Sequence, residues 1–277
     1  MGSTEPPAIA LPRKRILVAT AHPDDADIMA AGTVARWLEE GHEVHSVIFS
    51  RGDKGHDDPG MTPAGVAALR EVEQRAAAAI LGGPRLTFLD FKDGEIGWSG
   101  PELAEAATRR IRQEGPDIVV THDPYGGAPR YWEPQLHPDH RAVGLAVVEA
   151  CYFRAPGPLY YPAHQAAGLA THRVREILLI MSDHIDHVVD IAATFDRKVR
   201  AVREHASQFG KHPDLEGFLR RMAERTGSPH QLVFCHRSGV NMGHGMLWEG
   251  IHGQPRPSHR GDRGGSPRAG AVATGRL

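Results

Sequence analysis

Two short segments hold most of the reactive side chains that this chain places close together. Ala21-His22-Pro23-Asp24-Asp25 and His137-Pro138-Asp139-His140 each join imidazole and carboxylate groups across a proline. Pro23 fixes one backbone angle and stiffens its turn, so His22 and Asp25 can converge on one point. Pro138 suits the first position of a helix, with His137 as the residue just before it. His137 and His140, three apart, then share one face of the first helical turn. Together His22, Asp25 and His140 offer two imidazoles and one carboxylate. That donor set suits a catalytic zinc, which keeps a fourth position open for water. Zinc brings the pKa of such a water to about 7. Asp24 is not needed as a ligand and is free to accept the proton. His137 would face the substrate carbonyl, stabilise the oxyanion and then protonate the leaving amine. The chemistry is metal-assisted hydrolysis of an amide.

Other histidines among the 18 compete for attention. His122 closes a strand beside the second cluster and is expected to orient the site from behind, as Asp123 is expected to hold a ligand histidine. A third His-Pro-Asp, His212-Pro213-Asp214, lacks a following Asp or His and reads as a helix cap. The run Asp183-His184-Ile185-Asp186-His187 falls between two strands, reads as an exposed turn and is given no role.

These clusters need a scaffold, and the apolar periodicity supplies one. Residues 15–21 (RILVATA) form a short β-branched run expected as a buried strand, and 43–50, 85–91 and 116–122 repeat the pattern. Between them, 27–40, 64–81 and 102–114 read as helices, the first two closed by glycine. A helix over 138–153 follows, then two strands, REILLIM and HVVDI, and a helix over 194–209. Strands alternating with helices predict an α/β domain, a Rossmann-like, mostly parallel sheet covered on both faces. In such sheets ligands bind beyond the carboxyl ends of the strands, where both clusters fall. One domain over 14–251 is expected, with a disordered lead-in over 1–13 and a disordered Arg-bearing tail over 252–277.

Composition narrows the function classes. Thirty-two basic and 34 acidic residues leave a formal charge of -2, which suits neither nucleic acid nor an anionic membrane. Two distant cysteines, Cys151 and Cys235, exclude a disulfide scaffold or thiolate zinc cluster. With no run of eighteen apolar residues and no apolar signal core, a cytoplasmic protein is expected.

The motifs also carry a resemblance. AHPDD after the first strand and HPDH after the fourth resemble the zinc-dependent PIG-L/LmbE deacetylase family. The likeness runs from about Arg15 to Gln208 and includes SRGDKG at 50–55, Arg70 and Glu73, DGE at 93–95, THDP at 121–124, FDRK and HASQ. It implies removal of an acetyl group from an N-acetylglucosamine-type sugar or a related amide, with a small amino-sugar substrate as partner. It also implies zinc on His22, Asp25 and His140, with ferrous iron as the alternative occupant. Asp24 becomes the general base, His137 the residue that stabilises the tetrahedral intermediate, and Arg70 and Asp93 sugar contacts. Two positions depart from the family pattern. Ala26 stands where many members carry Glu, and Gln135 stands where some carry Tyr, with Tyr125, Tyr131 and Trp132 nearby to substitute. The first motif also differs from that of members that cleave thiol conjugates.

Three other readings compete. Two histidines and a carboxylate also describe a non-haem Fe(II) oxygenase, which would leave Asp24 and His137 without a task. A dinucleotide-binding enzyme fails because the first strand runs into HPDDADIMAAG in place of GxGxxG. A non-catalytic metal- or carbohydrate-binding protein would need the ligands without Asp24 or His137. Homo-oligomerisation is left open by the sequence.

Overall fold

In the computed structural model the described residues are 12–125, 137–182, 187–224 and 231–238. They fall in one compact unit, Met1–Val240. Five strands, β1 (Arg15–Thr20), β2 (Glu43–Ser50), β3 (Arg85–Phe91), β4 (Ile118–His122) and β5 (Glu176–Ile180), pair in parallel in the order β3-β2-β1-β4-β5. Two more, β6 (His187–Asp190) and β7 (Gln231–Ser238), extend the sheet antiparallel beyond β5, with β7 between β5 and β6. The two strands expected from REILLIM and HVVDI are present, and β7 was not anticipated.

Alternation along the strands divides the core in two. Ile16 and Val18 of β1, Ile118 and Val120 of β4, and Leu178 and Ile180 of β5 face one apolar layer. There they meet helices α1 (Asp25–Glu39), α2 (Pro63–Leu81) and α6 (Phe195–Glu204) through Val34, Ala77 and Val199. Leu17, Ala19, Val119 and Ile177 face the opposite layer, formed by α3 (Gly100–Glu114) and α4 (Pro138–Glu149). A sheet buried on both faces needs near-continuous apolar strands, and β1 and β4 are buried at all but one of their positions.

Three helix boundaries differ from expectation for physical reasons. Helix α1 begins at Asp25, so the last residue of the first motif is already helical. Helix α4 ends at Glu149 and continues as a π-turn over Ala150–Arg154. Buried Arg112 donates to the carbonyls of Arg154, Ala155, Gly157 and Tyr160 that follow. The single helix expected over 194–209 breaks at His205, which separates α6 from α7 (Ala206–Phe209). His205 is fully buried and its ring reaches Asp27 of α1, which a continuous helix is not required to do. Two short helices, α5 (Pro162–Ala166) and α8 (Leu215–Glu224), complete the set. Of the described residues, no helix is long and apolar enough to cross a membrane. Most of the expected lead-in, all of the expected tail, and Tyr131, Trp132, Gln135 and His184 lie outside the described residues.

Candidate metal centre

The chain winds from β1 outward to β2 and β3, then returns to lay β4 on the other side of β1. Such a reversal opens a crevice at the carboxyl ends of the two central strands. Both motifs enter it. The N–H of Ala21, just past β1, donates to Nε2 of His122, the last residue of β4, at 3.1 Å. Helix α4 lies close against this edge because Gly144 has no side chain; a Cβ there would stand 2.4 Å from the carbonyl oxygen of His122.

The first motif is a tight turn. His22 N–H donates to Asp25 Oδ2 at 2.8 Å, which folds the carboxylate back toward the histidine. His22 Nδ1 then lies 3.7 Å from Asp25 Oδ2 and 3.3 Å from His140 Nε2. His140 Nε2 is 3.0 Å from Asp25 Oδ1. Donors held 2.0–2.1 Å from a tetrahedral ion stand about 3.3 Å from one another. The three residues singled out by sequence therefore lie 3.0–3.7 Å from one another, the two histidines against different oxygens of Asp25, near the spacing such an ion requires, and all three are buried.

The other nitrogen of His22 is fully engaged. Nε2 donates to Asp93 Oδ1 at 3.0 Å and to Asp139 Oδ2 at 3.1 Å. Burial opposes charge on this imidazole, but Asp139, Asp93 and Asp25 outweigh it and raise its pKa to about 10. Asp93 and Asp139 hold the Nε2 proton, so a metal would take the place of the Nδ1 proton, the carboxylate–histidine–metal arrangement. Asp139 is itself completely buried, and its carboxylate accepts the N–H groups of Gly94 (2.6 Å) and Ile96 (3.1 Å). It thus ties the loop after β3 to His22. Sequence reasoning passed over Asp139, although it is the third residue of the HPDH motif.

Other donor triads overlap this set. His22, His137 and His140 form one, and Asp25, His122 and His140 another, their ligand atoms within 4.8 Å of each other. His122 stacks on His140 at 4.3 Å, and burial lowers its pKa to about 4, so it is neutral. Its Nε2 lies 3.2 Å from Asp25 Oδ2. Among the described residues Asp123 meets no histidine; its carboxylate accepts the N–H of Tyr125 at 2.9 Å, closing its own turn. His137 caps α4, its Nδ1 accepting the N–H of Asp139 at 3.2 Å. The ring proton of neutral His137 therefore sits on Nε2, and burial followed by the neighbouring His22 and His140 lowers its pKa.

Asp24 carries the strain of the site. Its φ of 88° and ψ of -30° are sparsely populated for a residue with a side chain, at a typical cost of about 1–3 kcal/mol. It stands at the N-cap of α1, yet its carboxylate makes no capping hydrogen bond. The carboxylate meets Arg70 instead, Nη2 to Oδ2 at 3.2 Å. Burial raises the Asp24 pKa to about 6, against the opposing pull of Arg70. Arg70 also donates to the carbonyls of Pro23 (2.8 Å) and Gly52 (3.2 Å). The family resemblance assigned Arg70 and Asp93 to the sugar; the structure turns both inward, Arg70 onto Asp24 and Asp93 onto His22. A buried guanidinium requires partners, and the turn of the first motif provides them.

Comparison with known proteins adds the following. The PIG-L family model, described as GlcNAc-PI de-N-acetylase, matches residues 17–151. A diacetylchitobiose deacetylase of Thermococcus kodakarensis is 33% identical over 197 residues, covering 71% of this chain and 70% of that protein. A 1D-myo-inositol 2-acetamido-2-deoxy-alpha-D-glucopyranoside deacetylase of Rhodococcus opacus is 28% identical over 241 residues, covering 70% of this chain and 82% of its own. Among solved structures, N,N'-diacetylchitobiose deacetylase from Pyrococcus horikoshii, in complex with an inhibitor, superposes with a TM-score of 0.75 at 29% identity. That match covers 82% of this chain and 85% of the Pyrococcus chain.

Proposed function

The chain belongs to the PIG-L family, and we propose on that premise that it is a zinc-dependent hydrolase removing the acetyl group from an N-acetylglucosamine-type sugar. One observation carries the metal half of this reading: His22 Nδ1, Asp25 and His140 Nε2 converge at separations of 3.0–3.7 Å in a buried crevice. These three residues would hold the ion. When bound, zinc supplies a Lewis acid that polarises the amide carbonyl and acidifies water. Two imidazoles and one carboxylate also accept ferrous iron, so the identity of the metal is part of the proposal.

The remaining steps fall to the chain's own groups. Asp24, raised to about 6 by burial, accepts the proton that water loses as it attacks the acetyl carbon. An acid of that pKa can return the proton near neutral pH. Arg70 keeps the Asp24 carboxylate oriented and prevents it from capping α1. His137 presents Nε2–H, because its Nδ1 is committed to the Asp139 N–H. It donates to the oxygen on which negative charge builds, and a donor preorganised in a buried site serves there better than water. Asp93 and Asp139 fix the ring plane of His22.

The test is acetate release from a panel of N-acetylglucosaminides, with metal-stripped and zinc-reconstituted protein side by side. Acetate should appear only with metal, and reconstitution with ferrous iron separates the two candidate ions. Stoichiometric zinc without acetate from any sugar would overturn the substrate half of the reading.

A further inference from the structure

Behind Asp24 lies a buried polar chain that the proposed chemistry does not use. The Asp24 N–H donates to Gln74 Oε1 of α2 at 3.0 Å. The amide nitrogen of Gln74 donates in turn to Asp27 Oδ2 at 2.7 Å. The same oxygen accepts His205 Nε2 at 2.8 Å, from the break between α6 and α7. Gln74, Asp27 and His205 are 4%, 3% and 0% exposed. Lys198 of α6 is also buried beside them, its charge opposed by burial and sustained by Asp27. Helices α2 and α6 and the break between α6 and α7 thus converge on a carboxylate in the first turn of α1. His205 Nδ1 has no hydrogen-bond partner among the described residues, so the ring is aimed solely at Asp27.

The geometry of Asp24 gives this chain a purpose. A non-glycine residue at φ 88° persists only where its surroundings over-determine it. With φ relaxed to negative values, an Asp at an N-cap turns its carboxylate onto the N–H groups of the first helical turn. Here the peptide unit that precedes the strained bond is gripped at both of its polar groups, while the Asp24 carbonyl beyond the bond accepts the Ile28 N–H at 2.9 Å. Arg70 takes the carbonyl of Pro23, and Gln74 takes the N–H of Asp24. Arg70 and Gln74 are four apart on α2 and so lie on one face. Gln74 can present its oxygen to Asp24 only if its nitrogen is directed elsewhere, and Asp27 fixes that orientation, with His205 fixing Asp27.

We propose that Gln74, oriented by Asp27 and His205, is a positioning residue that locks the Asp24 backbone and keeps its carboxylate off the helix cap and available for proton transfer. The inference rests on the reading of Asp24 as the general base. It also explains Asp27: this chain carries Ala26 after the two aspartates, and the carboxylate one place later serves the back of the turn.

The experiment is a double-mutant cycle of Gln74→Met and Asp24→Asn on zinc-loaded protein, with backbone amide exchange of Asp24 measured in the wild type and in Gln74→Met. Gln74→Met is expected to lower kcat roughly 10- to 100-fold, the scale of a small misplacement. KM and zinc content should stay within about twofold, and the Asp24 amide should exchange faster. In the Asp24→Asn background the same change should cost nothing further in kcat, because Gln74 acts through that carboxylate. An additive loss, an unchanged kcat in Gln74→Met, or an Asp24 amide as protected as before would overturn the proposal. Full activity in Asp24→Asn alone would instead overturn the general-base reading, leaving the amide exchange as the measure of the backbone lock. Should Gln74→Met not fold, Gln74→Asn withdraws the same amide by one methylene, stays polar and carries the same readouts.

Discussion

His137-Pro138-Asp139 and His212-Pro213-Asp214 share a tripeptide and a local geometry. In both, histidine Nδ1 accepts the N–H of the aspartate two residues on, at 3.2 Å. In both, a helix follows. There the likeness ends. Asp214 spends its carboxylate on the N–H of Gly217 (2.9 Å) and on Arg221, with its side chain 59% exposed. Asp139 is wholly buried and holds both the loop at 94–96 and His22. The tripeptide therefore encodes a turn and a cap. Chemistry comes from what surrounds it: the carboxyl end of a parallel sheet, a fourth residue (His140) on the same helical face, and a second motif across the crevice.

Substitutions can break or sharpen this contrast. The largest effect short of losing the metal belongs to Asp24. Asp24→Asn should lower acetate release by about 10²- to 10⁴-fold, the range for one general base, while zinc content by atomic absorption stays near one per chain. Asp139→Asn comes next. It keeps an acceptor for one of the two backbone N–H groups but weakens the hold on His22, so zinc affinity or turnover should drop by about 10- to 100-fold. Gly144→Ala acts through the scaffold. It sets a Cβ against the carbonyl oxygen of His122, and should destabilise by about 1–3 kcal/mol in urea denaturation, with zinc affinity reduced as α4 shifts. Asp214→Ala closes the series: a drop of a few degrees in Tm and unchanged acetate release. Were Asp214→Ala to cost as much activity as Asp139→Asn, the contrast would be wrong.

Much of this site was legible in the sequence because its donors lie in two contiguous motifs, each within five residues and each at the end of an apolar run. His22, Asp25 and His140 could be paired once β1 and β4 were recognised as strands of one parallel sheet. What could not be read was the set of contacts made by residues far away in sequence. The family resemblance placed Arg70 and Asp93 at the sugar, but their contacts with Asp24 and His22 reach across the sequence and local spacing does not reveal them. Gln74 and His205 join Asp27 across 47 and 178 positions, and no local spacing announces that. The fold divided along the same line. The βα alternation up to β5 follows local periodicity, whereas the antiparallel addition of β7 between β5 and β6 is a long-range pairing. The break in the helix expected over 194–209 likewise answers to a tertiary partner, Asp27.

The central claim is that two His-Pro-Asp motifs, and not the third, build one metal centre. The direct measurement is calorimetric titration of zinc into metal-stripped protein, for the wild type and for His22→Ala, His140→Ala and His212→Ala. One ion per chain is expected for the wild type and for His212→Ala, with high-affinity binding lost in the other two. Zinc bound as tightly by His140→Ala as by the wild type, or lost in His212→Ala, would contradict the account.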